Sequence, residues 1–138
     1  MKTLLSLFDY SGNWSAPYAK NGWNVVYWDI KHDPDYVQTF SDIHEANAEF
    51  IYENIFDNYG TVDGILAAVP CTDFAVSGAR WFKKKDQRGD TAKSVEIVWQ
   101  TLRIIDLCMP DFWCIENPIS RIHTLVPEVG TPKMYFNP

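Results

Sequence analysis

Apolar residues occur along the chain in short runs that are separated by longer stretches with helical spacing. Residues 62–69 form a nearly continuous apolar run, the pattern of a strand that is buried on both faces of a sheet. The runs 3–8, 25–28 and 112–115 predict three further strands, and the last of them is also expected to be buried. Four short strands are therefore expected.

The stretches between these runs have helical composition. The longest predicted helix covers residues 90–107, carries apolar residues three and four apart, and cannot continue through Pro110. Its apolar positions are Val95, Val98, Leu102 and Ile105. Further helices are expected over residues 14–21, near Tyr36 and over residues 46–59, the first ending at Gly22 and the last at Gly60. Strands that alternate with helices predict an α/β fold with a doubly wound, mostly parallel sheet.

Composition indicates one folded domain over residues 1–138. The 138 residues are 46% hydrophobic and 15% aromatic, which is too apolar for a disordered chain. No apolar stretch has membrane-spanning length, and the start of the chain does not have the pattern of a signal peptide. Three cysteines cannot all pair and have no metal-ligand spacing, so we expect a reduced, cytoplasmic protein with neither metal nor membrane partner.

Two chemically active side chains follow predicted strands. Cys71 comes after residues 62–69, and Glu116 comes directly after residues 112–115. Because the carboxyl ends of parallel strands open onto one edge, the thiol and the carboxyl are expected to face the same substrate. A glycine turn after the first strand and Asp29 at the end of the second predict a nucleotide-type site there. By residue type alone, Cys71 is more often a core residue and Glu116 a surface or capping carboxylate.

The net charge of the chain indicates which kinds of partner it can bind. A net charge of −6 is unusual for a nucleic-acid-binding protein, but residues 79–88 form a basic run close to Cys71. This run is either a solvated surface or a lip that contacts phosphates. Cys108 and Cys114 are expected in the core, and Arg121 is expected to be exposed at the start of a helix.

Two motifs resemble those of the S-adenosylmethionine-dependent DNA cytosine-C5 methyltransferases. The family's cysteine motif, Pro-Cys-x-x-Phe-Ser-x-x-Gly, is similar to residues 70–78 here, with Ala75 in place of the serine. Its glutamate motif is similar to residues 116–118, Glu-Asn-Pro. The resemblance implies a Rossmann-like methyltransferase fold of the small phage or bacterial type, with Cys71 as the nucleophile and Glu116 as the residue that holds cytosine N3.

The resemblance also implies a site for S-adenosylmethionine. The chain keeps the family's spacing from Phe8 to residues 22–23, but Tyr10 stands where the family has its first glycine. The residues that the resemblance assigns to the cofactor are Phe8, Gly12, Asp29, Ile30, Asp42, Ile43 and Pro70. Those assigned to the substrate are Ser77, Gly78, Arg80 and Asn117.

The function implied is methyl transfer to C5 of a flipped cytosine in DNA, as in restriction–modification. Complete members of the family continue with a target-recognition domain and C-terminal motifs that this chain does not contain, so a second polypeptide is a possible partner. Two alternatives stay open. One is a catalytically silent protein that binds S-adenosylmethionine or a nucleotide, and the other is a methyltransferase that acts on a free cytosine nucleotide.

Overall fold

The computed structural model describes residues 1–29, 39–40 and 43–136, and within them a five-stranded parallel sheet. The strand order is β3-β2-β1-β4-β5, so the chain crosses to the other half of the sheet after β3, and the strand order reverses between β1 and β4. This order confirms the predicted doubly wound α/β fold. The strands are β1 (Thr3–Leu7), β2 (Asn24–Trp28), β3 (Thr39–Phe40), β4 (Gly64–Ala68) and β5 (Phe112–Glu116).

Helices connect the strands. The long helix α5 (Asp90–Cys108) has almost the predicted bounds and ends at Met109, whose backbone is left-handed with φ 44°. The predicted helix over residues 46–59 is one helical stretch interrupted by a π-helical turn, and Gly60 ends it at φ 74°. The helices are α1 (Ala16–Lys20), α2 (Ala48–Ile51), the π turn (Tyr52–Phe56), α3 (Asp57–Tyr59), α4 (Phe82–Arg88), α5 (Asp90–Cys108) and α6 (Ile122–Leu125), with 3-10 turns at Ile43–Glu45, Val76–Trp81 and Pro127–Val129. The helix predicted near Tyr36 lies outside the described residues.

The two faces of the sheet pack into separate apolar clusters. Alternate residues of each strand point to opposite faces, so neighbouring strand positions divide between the clusters. The larger cluster joins the sheet to α2, the π turn and α5, and it includes Leu5, Leu7, Val26, Trp28, Ile65, Ala67, Ile51, Ile55, Val98 and Ile104. The smaller cluster contains Leu4, Val25 and Leu66 under the aromatic residues Trp14, Tyr18, Trp23, Tyr27 and Phe112.

Strand β5 departs from its prediction. It was expected to be buried, but Trp113 is 44% exposed and Cys114 is exposed as well. These neighbours point to opposite faces, so neither face of the strand is covered there. The physical reason is that β5 pairs only with β4 among the described strands and forms the edge of the sheet. The expectation that Cys114 is a core residue was therefore wrong, whereas Cys108 is buried as expected.

Helix α4 was not predicted, because it has little of the apolar periodicity that marks an amphipathic helix. Its sequence, FKKKDQR, is almost entirely polar, and Gly89 ends it in the left-handed conformation at φ 82°. The basic run of residues 79–88 is therefore a helical segment that leads from the loop after Cys71 into α5.

Candidate active site

The carboxyl ends of β1, β2, β4 and β5 lie along one edge of the sheet. All four strands are parallel, and Glu116 is in register with Ala68, three residues before Cys71. Gly12, Asp29, Cys71 and Glu116 follow or end these strands, as the sequence predicted. The strand order reverses between β1 and β4, in the middle of this edge, and this is the position at which open α/β sheets bind ligands.

Hydrogen bonds join the loop after Cys71 to the loop after Glu116. Ala75 and Ser120 form a short antiparallel bridge, in which the amide of Val76 donates to the carbonyl of Ile119 at 3.0 Å. The side chain of Asn117 donates from Nδ2 to the carbonyl of Val69 at 3.1 Å. The two loops therefore form one structural unit, which we call the Cys–Glu loop pair (residues 69–78 and 116–121).

The loop after Cys71 begins with a tight turn. The amides of Phe74 and Ala75 both donate to the carbonyl of Cys71 at 2.9 Å. Phe74 is completely buried in the larger apolar cluster. Burial of this ring anchors the turn directly beside Cys71, which is itself half-buried.

Asp73 is held from both sides, and sequence reasoning did not identify it as part of the site. Its carboxylate accepts a hydrogen bond from Ser94 of α5 and forms an ion pair with Lys85 of α4 at 3.2 Å. Burial raises the pKa of Asp73, but the hydrogen bonds from Ser94 and Lys85 and the charges of Lys85 and Arg121 outweigh it, so the pKa lies below its ordinary value. Lys85 also donates to the carbonyl of Thr72.

Arg121 is half-buried rather than exposed, which corrects the prediction for it. It is the residue before α6, as expected, but its guanidinium donates to the carbonyl of Asp73 from Nε at 3.2 Å and from Nη2 at 3.0 Å. It also pairs with Asp86 of α4 and lies 3.6 Å from the centre of the Phe82 ring. The hydrogen bond from Arg121, and then that from Thr91, lower the pKa of Asp86.

The turn after β1 has an unusual backbone. Phe8 adopts φ 62° and Gly12 adopts φ 69°, and such a value is strained for an aromatic residue. The buried carboxylate of Asp9 holds this turn, because its Oδ2 accepts hydrogen bonds from the hydroxyl of Ser6 at 2.9 Å and from the amide and hydroxyl of Ser15 at 3.1 and 2.8 Å. Asp9 is a second residue that the sequence reasoning missed.

The other residues assigned to the cofactor are distributed as follows. Asp29 directly follows β2 and is half-buried, and Pro70 is exposed beside Cys71. Ile43 is buried and packs in the larger apolar cluster. Tyr10, which stands in the place of a glycine, is 52% exposed and therefore lies outside the core. Ile30 and Asp42 lie outside the described residues.

The residues assigned to the substrate lie on or near the Cys–Glu loop pair. Ser77 and Gly78 lie in the 3-10 turn Val76–Trp81 that continues into α4, and Arg80 is exposed on the same turn. The guanidinium of Arg80 lies 5.1 Å from the ring of Trp81, and the ammonium of Lys84 lies 6.0 Å from it. Asn117 has a buried Oδ1 with no hydrogen-bond partner among the described residues.

The thiols of Cys108 and Cys114 both have pKa values above the ordinary value for cysteine. Burial raises the pKa of Cys108 to about 12, so this thiol is a core group. Partial burial and then the charge of Glu116 raise the pKa of Cys114. Both effects disfavour the thiolate, which is the reactive form.

Three further observations concern metal ligands, membrane spans and surface cavities. Within residues 1–29, 39–40 and 43–136, no group of three potential metal ligands occurs, and no helix is long and apolar enough to span a membrane. A surface cavity of about 800 Å³ is lined mainly by α5, with Trp99, Arg103 and Asp106 among its residues. Its lining contains neither Cys71 nor Glu116.

The fold and the edge define a class of protein: a Rossmann-like α/β domain with a glycine-containing turn after its first strand and a cysteine and a glutamate at adjacent strand ends. The model of the C-5 cytosine-specific DNA methylase family matches residues 2–121. The chain therefore belongs to this family, which indicates a DNA cytosine-5-methyltransferase. No curated protein matches the chain.

Proposed function

We propose that this chain transfers a methyl group from S-adenosylmethionine to C5 of a cytosine in DNA, through a covalent bond between Cys71 and C6. The observation that carries the proposal is the common edge: Cys71 follows β4, Glu116 ends β5, and the two loops are hydrogen-bonded to each other. Membership of the family supports the same reaction.

Cys71 is the proposed nucleophile. C5 of cytosine is too electron-poor to attack an electrophile, so its reactivity has to be raised by an addition elsewhere in the ring. The thiolate Sγ forms a bond to C6, the C5–C6 double bond breaks, and the electron pair becomes available at C5. When bound, S-adenosylmethionine would supply the electrophilic methyl group that C5 takes, with the electron pair of the broken S–CH3 bond left on the sulfur of S-adenosylhomocysteine. Loss of the C5 proton to solvent and departure of Sγ then restore the ring.

Glu116 is the proposed partner of the cytosine ring. Addition of sulfur to C6 increases the negative charge on the ring, and a protonated carboxyl that donates to N3 neutralises this charge. Glu116 suits this role because it is the last residue of β5 and its loop is tied to the loop of Cys71. Asn117, the next residue, holds the loop of Glu116 in place, because its Nδ2 donates to the carbonyl of Val69.

The residues at the end of β1 and β2 fit S-adenosylmethionine. The turn with left-handed Phe8 and Gly12 leads the backbone sharply away from the sheet, and Asp29 at the next strand end provides an acceptor for ribose hydroxyls. We assign Phe8, Gly12, Asp29, Ile43 and Pro70 to this site, together with Ile30 and Asp42.

DNA is the proposed substrate, and the exposed segment after the cysteine loop is the surface proposed to contact it. Arg80 and Lys84 lie close to the exposed ring of Trp81, so this surface offers two cations for phosphates and one aromatic face for a base. Ser77 and Gly78 stand between this surface and Cys71. The target cytosine has to leave the duplex, because C6 is not accessible within the base stack.

The decisive experiment is covalent trapping. The protein is incubated with S-adenosylmethionine and an oligonucleotide that contains 5-fluorocytosine, and the intact mass is measured. Fluorine replaces the proton that has to leave C5, so the bond between Sγ and C6 should persist. We expect one adduct on Cys71, none with Cys71→Ser, and slower formation with Glu116→Gln.

Cys114→Ser is the matched control, because Cys114 is an exposed thiol two residues from Glu116. It should leave the adduct unchanged, and an adduct located on Cys114 or Cys108 would contradict the proposal. A parallel reaction with the free fluorinated nucleotide tests the alternative substrate. Calorimetry with S-adenosylhomocysteine tests the silent binder, which would bind this ligand and form no adduct. An adduct that forms only after a second polypeptide is added would identify a missing partner.

A further inference from the structure

Arg121 connects three separate segments of the chain. Its backbone amide donates to the carbonyl of Phe74 at 3.0 Å, and its guanidinium donates twice to the carbonyl of Asp73. The same guanidinium donates to both carboxylate oxygens of Asp86, at 3.2 and 2.8 Å, and to the hydroxyl of Thr91 at 3.1 Å. The loop after Glu116 is thereby attached to the loop after Cys71 and to helices α4 and α5.

This geometry requires a guanidinium. Nε and Nη2 are directed at one carbonyl while Nη1 and Nη2 form a forked pair with a carboxylate, and a lysine ammonium cannot reproduce both sets at once. The planar group also lies 3.6 Å from the centre of the Phe82 ring, where it packs face-on as a cation on an aromatic surface. The side chain of Arg121 is only 18% exposed, so these interactions are shielded from most of the solvent.

A second attachment of the cysteine loop also involves Asp73, the residue whose carbonyl Arg121 binds. The carboxylate of Asp73 binds Lys85 and Ser94, while its carbonyl binds Arg121. Asp73 lies two residues after Cys71, so both attachments determine the position of the proposed nucleophile. Glu116 lies five residues before Arg121 on the other loop. We call Arg121, Asp73, Asp86 and Lys85 the loop clasp.

We propose that Arg121 is a positioning residue that holds Cys71 and Glu116 in a fixed relative geometry by joining their two loops. This inference rests on the proposed function for its catalytic consequence. Arg121 acts through the two loops that it joins, and not by contact with the substrate or the cofactor. Its loss should therefore change the rate of sulfur addition with little change in the affinity for S-adenosylmethionine, because the residues assigned to this ligand, apart from Pro70, lie outside the Cys–Glu loop pair.

The first test measures the clasp itself and needs no activity. Hydrogen–deuterium exchange of the whole chain is compared for the parent, Arg121→Ala, Arg121→Lys and Arg103→Ala, the last being an exposed arginine of α5 outside the clasp. We expect Arg121→Ala to accelerate exchange in residues 72–78 and 117–121 together, by about tenfold or more, with little change in β1, β2 and β4. Unchanged exchange in either loop would overturn the proposal.

The second test measures the catalytic consequence through the rate of adduct formation with the 5-fluorocytosine oligonucleotide. Displacement of a reacting group by about 1 Å costs on the order of a hundredfold in rate, so Arg121→Ala should slow trapping by about that factor. Arg121→Lys should also be slow, Arg103→Ala should match the parent, and the dissociation constant for S-adenosylhomocysteine should agree within about twofold in all four proteins. Addition of guanidinium ion at millimolar concentration should partly restore trapping by Arg121→Ala, whereas sodium chloride should not.

The two tests separate the two proposals. If the parent forms no adduct, either alone or with a second polypeptide, the proposed function fails, and the exchange experiment still decides whether Arg121 joins the loops. If the parent forms the adduct and Arg121→Lys forms it at the same rate, the proposed function stands and the positioning role of Arg121 is refuted. A loss of S-adenosylhomocysteine binding in Arg121→Lys would also refute it, because the effect would then be a general one on the fold.

Discussion

Replacement of Phe74 by alanine should measure how strongly the cysteine loop is anchored. The Phe74 ring has 0% exposure and packs in the larger apolar cluster, so its removal leaves a cavity in the core next to the turn of Cys71. Such truncations of a buried phenylalanine cost about 3–5 kcal/mol. A loss of about 4 kcal/mol changes the folding equilibrium constant by about a thousandfold, which is a large part of the roughly 5–15 kcal/mol that stabilises a domain.

The assay is urea unfolding followed by the fluorescence of the six tryptophans. With a slope of about 2 kcal/mol per molar urea, the midpoint of Phe74→Ala should fall by about 2 M with an unchanged slope. Val76→Ala is the matched control, since Val76 lies in the same loop but is 53% exposed, and it should change stability by less than about 0.5 kcal/mol. A loss of less than about 1 kcal/mol for Phe74→Ala would refute the anchoring role.

Three further predictions concern packing, pH and thiol reactivity. Gly64→Ala should destabilise the fold by about 1–3 kcal/mol in the same urea assay, because a Cβ at Gly64 would overlap the ring of Phe112. Gly130→Ala is the control, since a Cβ there meets no neighbouring atom and its only cost is the positive φ of that position. The pKa of Asp73 is below its ordinary value of 3.8, so the stability that this carboxylate contributes is present above that pH and is lost as the pH falls through the folded-state pKa. The stability difference between the parent and Asp73→Asn should therefore be full at about pH 6 and should shrink as the pH is lowered below 3.8. Cys108 should be the last thiol that iodoacetamide modifies in the native protein at about pH 8, because it is buried and has a pKa of about 12. Peptide mass spectrometry measures the labelling rate of each cysteine, and labelling of Cys108 in the native protein as fast as in urea would contradict the prediction.

The sequence by itself determined the class of fold and the edge that carries the site. The apolar run around β4 is continuous because both faces of a central parallel strand are covered, and that pattern is visible without any knowledge of its neighbours. Alternation of strands and helices then restricts the topology, since crossovers between parallel strands have one handedness. Cys71 and Glu116 could be assigned to one edge because each directly follows a recognisable strand.

The tertiary structure alone decided which strand is at the edge and which polar residues join the loops. The run at β5 is as apolar as that of an inner strand, yet Trp113 and Cys114 are exposed, because burial depends on what lies beside a strand rather than on its own residues. Arg121 binds Asp73 and Asp86, which are 48 and 35 residues away, and no local periodicity encodes such distant pairs. Hydrogen bonds between distant loops exist only after the sheet has placed their strands side by side.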